Sequence, residues 1–200
     1  MDSMLFLGII ADAFGSVPHD LIHHTLQRNQ FPHEVQEYFK SLYNITQSKV
    51  MTKSFQLDPF SFKRGVTQGD PMSPIIFILT FQPILDFIIE NEAYGVMGNG
   101  ERIITLLYAD DLCLITHDMR SQQPLISQIN SYIQSMGMEL KPSKCRAFSI
   151  KSGKPAVVPF HFGKYEIPSI AGDEQKFLGK AIFFPGKSQV GGGIHLQKCR

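Results

Sequence analysis

"LLYADDLCLI", residues 106–115, sets two adjacent carboxylates, Asp110 and Asp111, inside an otherwise apolar run. Such a run has the composition of a buried strand, and two like charges there are costly unless a cation sits on them. The cost falls if residues 102–108 and 112–116 are paired antiparallel strands, because the acids then occupy the hairpin tip. Two carboxylates on a rigid turn offer hard oxygen ligands to Mg²⁺, which commonly draws its other ligands from phosphates and water. Asp-Asp is also an ordinary turn dipeptide, so the motif gains meaning only from the rest of the chain.

Working outward, "MLFLGIIA" (4–11) has the length of a buried strand, and "DAFGSVPH" (12–19) turns the chain with Gly15 and Pro18. Apolar residues recur at helical spacing over 18–29 and 33–43, and the β-branched stretch 45–55 predicts a strand. "KRGVTQGDPMSP" (63–74) is a loop with Ser73 as the expected N-cap and Pro74 as the first helical residue. The helix beyond it runs to about Asn91. Its apolar core "IIFILTFQPILDFII" is interrupted by Gln82, Pro83 and Asp86 well short of about 20 clean residues, which predicts a core helix and no membrane span. "GNG" (98–100) predicts a hairpin turn, 121–136 a helix, and "MGMELKPSKCRAFSI" (136–150) a turn and a strand. Short strands broken by Gly and Pro follow, ending in "VGGG" (190–193). Helices and strands interleave without strict βαβ alternation, so the fold class expected is α+β, an antiparallel sheet backed by helices.

Composition agrees with a folded domain: 43% hydrophobic and 18% charged residues in a chain of 200. The net charge of +1 supplies no bulk attraction to nucleic acid, so any such binding needs a local cluster of cations. Cys113, Cys145 and Cys199 form neither a zinc spacing nor a disulfide framework, which suits a reducing, intracellular setting without a secretory signal.

Tyr108-Ala109-Asp110-Asp111 between apolar strands resembles the catalytic YADD hairpin of reverse transcriptases, with wording nearest to non-LTR (LINE-type) retrotransposons. Neighbouring segments resemble that family in its order. "AFGSVPHDLI" (13–22) is similar to the end of the first palm motif, and "RGVTQGDPMSPIIFIL" (64–79) to the Gly-rich loop and helix that receive template and nucleotide. "GMELKPSKC" (137–145) is similar to the next motif, and "FLG" (177–179) to the hairpin that grips the primer. The resemblance implies a polymerase palm fold and RNA-directed DNA synthesis by two-metal nucleotidyl transfer, with Mg²⁺ as cofactor. It further implies an RNA template, a DNA primer and deoxynucleotides as partners, no membrane, and location in nucleus or cytoplasm. Carried over, Asp110 and Asp111 are metal ligands and catalytic, and Lys144 neutralises or protonates the departing pyrophosphate. Asp12 stands beside the triphosphate, Phe14 lies below the incoming sugar, and Arg64, Gln68 and Gly69 lie in the nucleotide- and template-binding loop.

One element of the pattern is missing. The family's third carboxylate belongs on the first strand, five residues before the aromatic, and counting back from Phe14 lands on Ile9. Asp12 is no substitute: it lies three residues on, roughly 10 Å of extended chain, and an odd offset turns a side chain to the other face. The expected layout is therefore a non-matching segment 1–10, a palm-like domain 11–183 with the fingers largely missing and the thumb at most fragmentary, and a flexible tail 184–200. Activity is expected to be weak or absent. The rival expectation is a non-catalytic retroelement remnant that at most binds nucleic acid or a protein partner; another palm-fold nucleotidyltransferase ranks last, because such enzymes have no counterpart of the 64–79 loop. His19 and His23 have the i,i+4 spacing of zinc ligands, but no third ligand is evident, and a surface helix face is the expectation.

Overall fold

In the computed structural model, the described residues are 3–152, 154–169, 174–177, 180–183 and 195–196. Strand β1 (Ser3–Ile9) leads into the short helix α1 (Ala13–Ser16), then α2 (His19–Arg28) and α3 (His33–Ile45). Strands β2 (Gln47–Ser48) and β3 (Phe60–Ser61) precede the long helix α4 (Ser73–Glu90). Next come β4 (Val96–Gly98), β5 (Glu101–Ile103), β6 (Thr105–Tyr108), β7 (Asp111–Thr116) and α5 (Met119–Ser135). A 3-10 turn (Pro142–Lys144) introduces β8 (Arg146–Lys151) and β9 (Lys154–Ala156), followed by β10 (Phe160–Phe162) and β11 (Tyr165–Ile167). Strands β12 (Glu174–Phe177), β13 (Lys180–Phe183) and β14 (His195–Leu196) complete the described chain. Of "FLG", Leu178 and Gly179 lie outside the described residues, as do Cys199 and "VGGG".

The chain divides into two compact units. The sheet unit comprises Met1–Ala11, Pro83–Ser135 and Glu139–Arg200; the helical unit comprises Asp12–Gln82 and Met136–Met138.

The sheet unit is built on a five-stranded antiparallel sheet in the order β6-β7-β1-β8-β9. Period-2 alternation sorts its side chains. Met4, Phe6, Leu112, Leu114 and Thr116 are all buried on one face. The opposite face carries Leu7, Cys113 and Phe148, with Leu5, Ile115 and Ile150 partly buried around them. Helix α5 packs against β1, β7 and β10 through an apolar stripe of Leu125, Ile126, Ile129 and Ile133. The expected α+β class, an antiparallel sheet backed by helix, is what forms.

In the helical unit, α2 packs on α3 around Ile22, Leu26, Phe39 and Tyr43. The loop before α4 returns to α1 and α2: the Gly65 and Val66 amides donate to the Val17 and Phe14 carbonyls at 2.7 and 2.8 Å, and Pro18 forms a bridge with Arg64. Gly65 needs its freedom here, with φ +97° and the Gly15 backbone only 3.2 Å from where a Cβ would stand.

Several local expectations are corrected. The predicted strand over 45–55 is reduced to Gln47–Ser48, because every residue from 49 to 64 is exposed and no sheet covers it. Ser73 opens α4 without capping it; its hydroxyl donates to the Thr67 carbonyl, and the Asp70 carboxylate instead accepts the Met72 amide at 2.8 Å. The strand expected over 102–108 breaks at Ile104 into β5 and β6. The "GNG" turn forms as expected, with Asn99 and Gly100 at φ 51° and 87° joining β4 to β5. Helix α4 is the one helix among the described residues long and apolar enough to cross a membrane by length and composition alone. Its Ile76, Phe77, Phe81, Ile84 and Ile88 are buried in the protein.

Candidate functional site

The acids stand at one end of the central sheet. Strands β6 and β7 pair with Tyr108 opposite Asp111, and the turn between them consists of Ala109 and Asp110. Ala109 takes a φ of +50°, the mirror-image geometry that tight hairpins need. Only Asp110 is therefore a tip residue, whereas Asp111 is the first residue of β7 and shares a sheet face with Cys113. That placement has an electrostatic consequence. Burial at the end of an apolar stripe, followed by repulsion from Asp110, raises the Asp111 carboxyl above its ordinary value. A cation bridging the two carboxylates would relieve both costs.

Strand β1 ends beside them. Its register with β7 places Leu7 opposite Cys113, Gly8 opposite Leu112, and Ile9 directly opposite Asp111. Directly opposed residues have Cβ atoms roughly 5 Å apart, on the same face. The position that faces the second acid is thus filled by a half-buried hydrocarbon. Among the described residues, no three His, Cys, Asp or Glu side chains gather as a metal-binding group.

The 139–145 segment is stitched to the end of β1. Ala11 donates its amide to the Glu139 carbonyl, and Lys141 donates to the Ile9 carbonyl, each at 2.8 Å. This places the 3-10 turn against β1, with Lys144 exposed on it. Tyr108 is also exposed, at 68%. Cys113 and Cys145 are buried free thiols, and burial pushes the Cys113 thiol up to about 12 and raises that of Cys145.

The remaining candidates belong to the helical unit. Phe14 stacks on Phe77 with centroids 4.6 Å apart, and Phe77 stacks in turn on Phe81 at 4.8 Å. Asp12 is exposed in a left-handed conformation, and its carboxylate occupies the space a Gly15 side chain would need. Arg64 donates a guanidinium N–H to the Gly137 carbonyl, so part of its hydrogen-bonding capacity already holds the 136–138 segment. Gln68 and Gly69 are exposed on the loop; Gly69 has φ +89° with open space around its Cα.

His19, expected on a surface helix face, is instead half-buried in this unit. Its Nε2–H donates to the Gly65 carbonyl at 3.0 Å and its ring stacks on Tyr43 at 4.4 Å, so burial lowers its pKa. The zinc-like His19–His23 spacing carries no structural weight beside these bonds. Sequence reasoning passed over the exposed segment 46–63, in which lysines stand among Val, Met and Phe.

Residues 5–182 match the family described as "Reverse transcriptase (RNA-dependent DNA polymerase)". The chain is 33% identical over 192 residues to the "Retrovirus-related Pol polyprotein from type-1 retrotransposable element R2" of Nasonia vitripennis, covering 90% of this chain and 18% of the relative. It is 31% identical over 180 residues to the corresponding polyprotein from type-2 element R2DM of Drosophila melanogaster, covering 85% and 17%. The chain thus spans less than a fifth of either relative's length. Among solved structures, apo telomerase from Candida tropicalis, truncated from its C-terminal domain, superposes with a TM-score of 0.64 at 14% identity, over 91% of this chain and 34% of that one.

Proposed function

The chain belongs to the reverse transcriptase family, and we propose that it forms the palm of an RNA-directed DNA polymerase whose metal site lacks one carboxylate. The observation that carries this reading is the register of β1 against β7, which sets Ile9 opposite Asp111. Asp110 and Asp111 fit one hard divalent cation such as Mg²⁺: both are half-buried, and Asp111 is held against its own repulsion. They do not by themselves fit two ions, because an aliphatic side chain cannot bridge them. When bound, such ions supply charge neutralisation at the attacking and leaving oxygens of an in-line displacement.

The chain's own residues would do the positioning. The rigid β6–β7 turn fixes the two carboxylates, and Lys144 offers an exposed ammonium to a departing phosphate. Phe14, backed by Phe77 and Phe81, gives a stiff aromatic floor for a sugar. The open backbone at Gln68 and Gly69 admits a base or phosphate at close range, and Asp12 lies exposed on the turn before Phe14. Arg64 is a positioning residue for that loop through Gly137. With one carboxylate missing, polymerase activity is weak or absent.

Primer extension on an RNA template with Mg²⁺ and deoxynucleotides tests this. The native chain and its Asp110→Asn variant should both stay at background, and Ile9→Asp should bind Mg²⁺ more tightly, read as a larger Mg²⁺-induced rise in Tm. Vigorous extension by the native chain, abolished in Asp110→Asn, would overturn the defective-site reading. Equal Mg²⁺ response in Ile9→Asp and native protein would remove Ile9 from the site.

A further inference from the structure

The segment 46–63 is a hairpin of the helical unit in which no residue is fully buried. Beyond the β2–β3 pairing of Gln47 with Ser61 and Ser48 with Phe60, the ladder continues outward. The Leu57 amide donates to the Val50 carbonyl at 3.0 Å, Met51 bridges to Gln56, and the Thr52 amide donates to the Phe55 carbonyl at 2.9 Å. At the tip, the Thr52 hydroxyl oxygen accepts the Ser54 and Phe55 amides. The base is fixed where the His19 amide donates to the Lys63 carbonyl. The arm therefore holds its shape by backbone bonds while all residues from 49 to 64 remain exposed.

What it exposes is unusual for a bare surface. Phe55, Phe60 and Phe62 are 54%, 41% and 46% exposed, with the last two rings packed edge to face at 5.3 Å. Lys49, Lys53, Lys63 and Arg64 lie among them, against the single acid Asp58. No ion pair among the described residues involves any of the three lysines. A chain whose overall charge is +1 has thus concentrated cations on an arm that carries aromatic rings. Aliphatic Val50, Met51 and Leu57 are exposed as well. The buried centre of a protein–protein interface, however, is depleted in lysine, whereas aromatic rings interleaved with cations are what a single strand needs for stacking and phosphate neutralisation.

We propose that the 46–63 arm is a docking surface for single-stranded nucleic acid, stacking bases on Phe55, Phe60 and Phe62 and holding phosphates with Lys49, Lys53 and Lys63. The strand is RNA in so far as this rests on the polymerase reading. It requires neither the acid hairpin nor a bound metal.

The test is fluorescence anisotropy with a labelled, unstructured 15-nucleotide RNA, without primer, deoxynucleotide or divalent metal, using the full 200-residue chain. The combined Phe55→Ser, Phe60→Ser, Phe62→Ser variant should bind at least tenfold more weakly. The combined Lys49→Gln, Lys53→Gln, Lys63→Gln variant should flatten the dependence of log K on log salt by about 2, near 0.7 for each lost phosphate contact. Tyr165→Ser, at an exposed aromatic outside the arm, should bind like the native chain, and because the readout needs neither metal nor deoxynucleotide, failure of the arm is distinguishable from failure of the polymerase reading. Binding unchanged in both arm variants overturns the proposal. So does self-association of the native chain that the phenylalanine variant abolishes while RNA affinity stays constant, because the arm would then be a protein interface. Should the phenylalanine variant lose its native circular dichroism, the lysine variant decides alone.

Discussion

Two hairpins in this molecule have the same local design and opposite fates. The β6–β7 hairpin is one edge of a five-stranded sheet, with Leu112, Cys113 and Leu114 of β7 all buried, Asp110 in its turn and Asp111 at the start of β7. The 46–63 hairpin is nearly as regular in its backbone bonds, yet none of its side chains beyond residue 48 is buried. A two-stranded ribbon alone is marginal in water, so what fixes a hairpin's accuracy is the third strand and the helix against it. The first has β1 and α5 and can hold charges in place for a metal. The second has neither, and leaves its side chains exposed.

Substitutions can break or sharpen that contrast. The largest effect is expected at Leu114, which is fully buried: Leu114→Ala should cost about 3 kcal/mol in urea unfolding, by lost burial plus the cavity left behind. Gly65→Ala should cost about 2 kcal/mol in the same measurement, because its φ of +97° and the neighbouring Gly15 backbone leave no unstrained place for a methyl group.

A smaller effect with a definite pH signature belongs to Asp111. Its carboxyl is raised in the folded state by burial and by Asp110, so its favourable contribution is complete below the unfolded pKa and is lost as pH rises through the folded one. Asp111→Asn should therefore raise Tm by under about 2 °C at pH 7, and the gain should vanish by about pH 3. Loss of Tm at pH 7 would mean that the carboxylate is satisfied and not repelled. Smallest of all, Phe60→Ser on the projecting hairpin should change stability by no more than about 0.5 kcal/mol. A cost as large as that of Leu114→Ala would show that the arm is packed and erase the difference between the two hairpins.

His19 supplies a fifth handle, in the helical unit. Its pKa is lowered by burial against the Gly65 carbonyl bond, so its contribution is present above the unfolded value near 6.5 and is lost as pH falls through the folded one. His19→Asn should flatten the Tm profile between pH 7 and 5 relative to the native chain.

Much of the fold was legible in the residues themselves. Helices over 19–28, 33–45, 73–90 and 119–135 follow from apolar spacing, and the turns at 98–100 and 109–110 follow from local chemistry. The candidate site was legible as motifs. What was not legible was which side chains a fold would consume: Arg64 by the Gly137 carbonyl, His19 by Gly65 and Tyr43, Ser73 by Thr67. These bonds join residues six to more than seventy positions apart, and no local pattern encodes them.

The sequence by itself determined the paired acids, the absence of a carboxylate at position 9 and the membership of a family, because those depend only on residue type and spacing. Tertiary structure alone decided that Ile9 faces Asp111 across a strand pair, and that only Gln47–Ser48 of the 45–55 stretch forms a strand while 49–55 stays exposed. Strand register and burial are set by which segments meet, and a strand's own composition is silent on its neighbour.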